Sequence, residues 1–171
     1  PSPTTWQAVQ EDLGGRIDAI LKGGPTRVGL ESTVVDCTGD EPVVLRHGSI
    51  SLDDLRLVAP GAAENAGDGA LEQRSPGTRH RHYRPDARVI VGPARTDNAR
   101  ERHAWLGLRP PPAPDTYAIV RIVPDVDEYA RSLFAFFREC EAAGIDVICC
   151  EPVAERGLGR ALMDRLNRAS M

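Results

Sequence analysis

The sequence predicts an α/β protein built in two unequal parts. Three observations carry that reading. Residues 29–49 hold two apolar, β-branched runs around a Thr38-Gly39-Asp40 turn, the pattern of a β-hairpin. After Pro85, short apolar runs alternate with helical periodicities, which means βαβ units and a right-handed parallel sheet. Between them, residues 60–86 lose apolar periodicity and read as a linker. The expected parts are residues 1–59, the linker 60–86 and residues 87–171.

Composition bounds the function classes. With 171 residues and 41% apolar content the chain can bury a core, and 27% charged residues favour solubility. A net charge of −4 carries no whole-chain signature of a nucleic-acid binder. The four cysteines, Cys37, Cys140, Cys149 and Cys150, form no CxxC and no Cys/His spacing suited to zinc. Cys149-Cys150 lies inside an apolar run and reads as buried packing, and free thiols fit a reducing cytosol. No apolar run approaches the ~20 residues of a membrane span, so no membrane partner is expected.

Thr4 or Thr5 caps a first helix that runs to about Leu13, with Trp6, Val9, Gln10 and Leu13 on one face. Gly14-Gly15 ends it. Ile17 to Leu21 reads as a short strand stopped by Gly23-Gly24-Pro25. The hairpin follows, and Ser51 then caps a short helix from Leu52 to Val58, with Asp54 three residues on.

The hairpin carries the chemistry. Glu31, Ser32 and Thr33 stand where its first strand starts; Arg46 and Ser49 stand where the second stops. Hydroxyls and a guanidinium at one edge suit an anionic ligand, because arginine can clamp phosphate bidentately and hydroxyls donate to carboxylate or phosphate oxygens. The plainer alternative is an ordinary polar strand end with a surface arginine.

Within the linker, residues 74–84 carry Arg74, Arg79, Arg81 and Arg84 against no acid, with His80, His82 and Tyr83 interleaved. A phosphate-facing loop or an RNA contact would use that mixture, and a solvated basic loop is the alternative.

The second part opens with a strand at Arg88 to Val91, a helical stretch from Asn98 to about Arg102 and a strand at Trp105 to Leu108. Pro110-Pro111-Pro112 breaks the chain into a loop before a strand at Tyr117 to Ile122. Asp125 or Asp127 starts the longest helix, whose buried stripe is Tyr129, Leu133, Phe134, Phe137 and Cys140, with Gly144 at C′. Ile145 to Cys150 is nearly all apolar, as a central parallel strand should be. Gly157 to Ala169 is a final helix with Leu158, Leu162 and Leu166 four apart. The Gly157-Leu158-Gly159 turn could cradle a phosphate, but it is not GxGxxG and Glu151 and Glu155 precede it, so packing is the favoured reading.

Glu31-Ser32-Thr33-Val34-Val35-Asp36, then Val44-Leu45-Arg46 and the turn through Gly48 and Ile50, resembles the YrdC-like domain of threonylcarbamoyl-AMP synthases. Ser2-Pro3-Thr4-Thr5, Asp12-Leu13, Arg16-Ile17-Asp18 and Gly23-Gly24 resemble that family in order and spacing. Ser75-Pro76-Gly77-Thr78-Arg79-His80-Arg81-His82-Tyr83-Arg84-Pro85 resembles the linker of its two-domain form. The resemblance implies a partial YrdC-like α/β domain followed by a small Rossmann-like parallel-sheet domain. The family's triphosphate-binding basic strands and its Ser-Ala-Asn segment have no counterpart here, so a fragment without activity of its own is expected.

The resemblance further implies a cytoplasmic nucleotidyltransferase. It condenses L-threonine, bicarbonate and ATP to threonylcarbamoyl-AMP and pyrophosphate, for tRNA modification at adenosine 37. Ser32 would hold threonine; Thr4, Arg46, His82 and Tyr83 would contact ATP. ATP would bring Mg²⁺ as its counter-ion, with no tightly bound cofactor, and downstream tRNA-modifying proteins would be partners. No nucleophile or triad stands out, which fits a reaction run by positioning and charge neutralisation. The alternatives are an RNA-binding module and a regulatory module.

Overall fold

The computed structural model describes residues 1–65, 67, 69, 85–93 and 100–171. It is a mixed α/β architecture with two sheets, as expected. Helix α1 spans Trp6–Leu13, and Thr5 is its N-cap, with Oγ1 accepting from the Ala8 amide at 3.3 Å. Ile17 to Leu21 is not a strand. It runs as bend and coil, with Leu21 96% exposed, and the flanking amides of Arg16 and Gly23 bond the local carbonyls of Leu13 and Leu21. An apolar run makes a strand only where a ladder partner lies beside it.

The hairpin forms. Strand β1 (Val34–Asp36) pairs antiparallel with β2 (Val43–Arg46), with an irregularity between Val34 and Val35. Asp36 Oδ1 accepts from both the amide and the hydroxyl of Thr38, which sets the turn. Helix α2 covers Leu52–Arg56 and starts with a complete Ser51/Asp54 capping box; it stops short of the expected Val58. Strand β3 (Ala63–Glu64) then adds parallel to β2 through Ala63 N to Pro42 O and Asn65 N to Val44 O. This strand falls inside the segment read as linker, because two residues are too few to show periodicity.

The second sheet is wholly parallel: β4 (Arg88–Val91), β5 (His103–Gly107), β6 (Ile119–Ile122) and β7 (Val147–Cys150) in the order β4-β7-β5-β6. β7 lies inside the sheet with every residue buried, as its unbroken apolar run requires. Residues 100–102 are turn, bend and coil rather than helix, since the Arg102 amide is taken by Asp146 Oδ2 at 2.8 Å; Asn98 and Ala99 lie outside the described residues. Helix α3 (Val126–Ala142) has Asp125 as N-cap and buries Tyr129, Leu133, Phe134, Phe137 and Cys140, together with Ala130 and Phe136. Gly144 follows it at φ +64°. Helix α4 (Leu158–Ser170) buries Leu162, Met163, Leu166 and Ala169 against the same core.

The N-terminal segment is tied to this unit at several points. Arg138 of α3 makes a forked pair with Asp12, Nη1 to Oδ1 at 2.9 Å and Nη2 to Oδ2 at 2.5 Å. That pair holds the Asp12 carboxyl below the usual range. Gly29, at φ +82°, lies against the α3 backbone at Ala130 and Arg131, where no side chain would fit. Leu30 packs on the core of the parallel-sheet unit. Leu13, Ile17, Leu21, Ile50, Leu57 and Val58 of the first part are exposed.

Candidate functional site at the hairpin ends

The two ends of the hairpin lie in contact. A Cβ at Gly48 would fall within the backbone of Ser32 and Thr33, so the second end crosses the first with no room for a side chain. Arg46 Nε donates to the Ser32 carbonyl at 3.1 Å. Ser32 is exposed, whereas the Thr33 hydroxyl donates to the Ile50 carbonyl at 2.7 Å and closes the loop after β2. Ser32 and Arg46 therefore stand together, and Thr33 serves the local fold.

Glu31 anchors the first end. Its Oε1 accepts from Ser2 Oγ at 2.5 Å and its Oε2 from Arg165 Nε at 2.8 Å. Arg165 Nη2 also donates to the Glu31 carbonyl at 3.4 Å and to the His47 carbonyl at 2.9 Å. The residue is fully buried on α4. Burial, then the charges of Arg160 and Arg165, lower the His47 pKa against the opposing pull of Asp164. His47 lines a separate cleft with Arg56, Glu64 and Arg160, while the exposed Ser32 beside Arg46 gives the hairpin edge groups suited to an anion or a zwitterion.

Thr4 is buried. Its carbonyl accepts from Thr26 N at 2.9 Å, and it lines a cleft of about 400 Å³ with Trp6, Val9, Ile20 and Thr26. Ser32 and Arg46 are not on that cleft's wall. His82 and Tyr83 lie outside the described residues.

A second cleft, about 540 Å³, opens at the carboxyl ends of β5 and β7 beside Arg109, Asp127, Glu151 and Arg156. Burial alone would raise Glu151. The hydrogen bonds from the Arg109 side chain and from the Arg109 and Leu108 amides outweigh it and hold the carboxyl below its usual range. Gly159 is pressed against the Ala154 carbonyl, so the Gly157-Leu158-Gly159 turn serves packing. Cys149 and Cys150 are buried as expected, and burial raises the Cys150 thiol. Among the described residues, no cluster of three or more His, Cys, Asp or Glu could hold a metal ion, and no helix is long and apolar enough to cross a membrane.

Arg165 is the residue that sequence reading missed. The signal was present: it lies three residues after Leu162 and four before Ala169, on the apolar stripe of α4. A charge in a buried stripe needs a partner brought from elsewhere.

Fold and site define the class: a mixed α/β protein in which a parallel-sheet unit braces a hairpin offering a hydroxyl and a guanidinium at its joined ends. Comparison with known proteins is more specific. The family profile described as "Threonylcarbamoyl-AMP synthase, C-terminal domain" matches residues 50–171, and a Sua5, YciO and YrdC profile described as "Telomere recombination" matches residues 1–48. The chain belongs to the threonylcarbamoyl-AMP synthase C-terminal domain family.

Curated relatives with the name threonylcarbamoyl-AMP synthase come from Pyrococcus abyssi and Schizosaccharomyces pombe. The first is 37% identical across 99% of this chain and 54% of its own length; the second is 31% identical across 99% and 49%. The crystal structure of P. abyssi Sua5 complexed with L-threonine superposes with a TM-score of 0.84 at 36% identity, covering 99% of this chain and 54% of that one. A substituted form of that protein gives 0.81 at 34% identity, covering 99% and 53%. The chain spans about half the length of the curated relatives it matches.

Proposed function

We propose that this chain forms part of an L-threonylcarbamoyladenylate synthase, a cytoplasmic nucleotidyltransferase that converts L-threonine, bicarbonate and ATP to threonylcarbamoyl-AMP and pyrophosphate for tRNA modification at adenosine 37. The observation that carries the reading is the joined hairpin: Ser32 exposed beside Arg46, whose Nε reaches the Ser32 carbonyl. Support comes from the likeness to a protein solved with L-threonine. In this reading Ser32 hydrogen-bonds threonine, and Arg46 neutralises charge on the ATP phosphates. Thr4, His82 and Tyr83 complete the nucleotide site. Mg²⁺ arrives with the triphosphate and offsets charge on the departing pyrophosphate. The chain's own residues bind and orient, which suits a reaction accelerated by proximity and preorganised charge. We place the domain division in the linker at residues 60–86, with the YrdC-like part before it and the Rossmann-like part after it.

The test is pyrophosphate release dependent on threonine, bicarbonate and ATP. It should appear in the full-length protein and be absent from residues 1–171 alone. Release independent of threonine would refute the reading.

A further inference from the structure

We propose that Arg165, on the final helix, is a positioning residue for the threonine site; this rests on the function proposed above. It holds the two ends of the hairpin at one spacing. Its Nε binds the Glu31 carboxylate at 2.8 Å, next to Ser32. Its Nη2 binds the His47 carbonyl at 2.9 Å, next to Arg46. One guanidinium thus touches the residue before the proposed threonine ligand and the residue after the proposed phosphate ligand.

The guanidinium is suited to this because its donors are fixed in a plane, so its contacts to Glu31 and His47 set a distance as well as an energy. It is fully buried, and Nη1 also donates to Asp164 Oδ2 at 2.5 Å. Asp164 is held in turn by Arg168 Nε at 2.9 Å. The brace is therefore anchored on α4, in the parallel-sheet unit, while the groups it aligns belong to the hairpin. Gly48 shows how little slack exists there, since the ends already meet backbone to backbone. A lysine at 165 would keep the charge toward Glu31 but could not span to the His47 carbonyl with the same fixed geometry. The final helix would in this way set threonine affinity through the hairpin.

The experiment uses the full-length protein with Arg165→Lys and Arg165→Met. Hydrogen exchange across residues 30–36 and 44–49 is measured alongside the KM for L-threonine and kcat. The expected result is faster exchange in both hairpin segments and a threonine KM raised about five- to tenfold in Arg165→Lys, with kcat at saturation within about threefold of wild type. If Arg165→Met does not fold, Arg165→Lys decides. A merely structural role would lower the active fraction, and so kcat, without moving KM. That pattern, or unchanged hairpin exchange in Arg165→Lys, overturns the proposal. If the wild-type protein does not bind L-threonine, the function proposed above fails and the positioning role with it; the exchange data still show whether the brace exists.

Discussion

Arg46 donates from Nε to the carbonyl of Ser32 at 3.1 Å, so the proposed phosphate ligand also supports the backbone of the proposed threonine ligand. Substitutions at the two positions should therefore differ. Arg46→Lys should weaken ATP binding roughly ten- to a hundredfold, the loss of one charge-assisted contact of about 1.5–3 kcal/mol. It should also weaken threonine binding, by less, because the Ser32 carbonyl loses its donor. Ser32→Ala should weaken threonine alone. Separate calorimetric titrations of each ligand check this, and equal losses for both ligands in both variants would reduce these residues to holding the hairpin together.

Gly48→Ala should separate the hairpin ends. The new methyl would meet the Ser32 and Thr33 backbone, which cannot rotate away as a side chain can. Overpacking of this kind costs about 1–3 kcal/mol. Urea denaturation should show a lower midpoint at unchanged slope, and residual folded protein should bind threonine less tightly. A midpoint equal to wild type would mean that the two ends move apart freely.

His47 makes a pH prediction. Its pKa is depressed in the fold, first by burial and then by the Arg160 charge. The unfolded chain therefore binds a proton at higher pH than the folded one does. Stability should be full above about pH 6.5, the ordinary histidine value, and decline as pH falls from there to the depressed value, by at most about 1.4 kcal/mol per unit. His47→Gln should flatten this decline. Thermal midpoints between pH 7.5 and 5 for both proteins are the measurement, and parallel curves would remove His47 as the cause.

Tyr129→Phe probes the parallel-sheet unit alone. The Tyr129 hydroxyl donates to the carbonyls of Leu106 at 2.9 Å and Glu151 at 3.1 Å, at the carboxyl ends of β5 and β7. The ring is fully buried, and burial raises its pKa, so the hydroxyl stays protonated at any working pH. Phenylalanine keeps the packing and removes the donor: the Leu106 carbonyl keeps the Glu151 amide at 2.9 Å, whereas the Glu151 carbonyl loses its hydroxyl partner, which should cost about 1–3 kcal/mol in denaturant unfolding. A negligible loss would mean that water replaces the hydroxyl there.

The sequence by itself determined the hairpin, the parallel βαβ unit and the stripe of α3, because each is written in local periodicity and turn chemistry over a few residues. It placed Ser32 and Arg46 at hairpin ends for the same reason. It did not determine that Ile17 to Leu21 would lack a partner, that Ala63 and Glu64 would add an edge strand, or that Thr33 would spend its hydroxyl on Ile50. Each of those depends on which backbone or carbonyl group lies alongside in space. Arg165 shows the division most plainly. Its position in an apolar stripe was legible, but its partners stand 134 and 118 residues away, and no local pattern encodes which distant carboxylate and carbonyl will meet a buried charge. Only tertiary packing brings them within reach, because a buried guanidinium must be paired wherever the fold carries it.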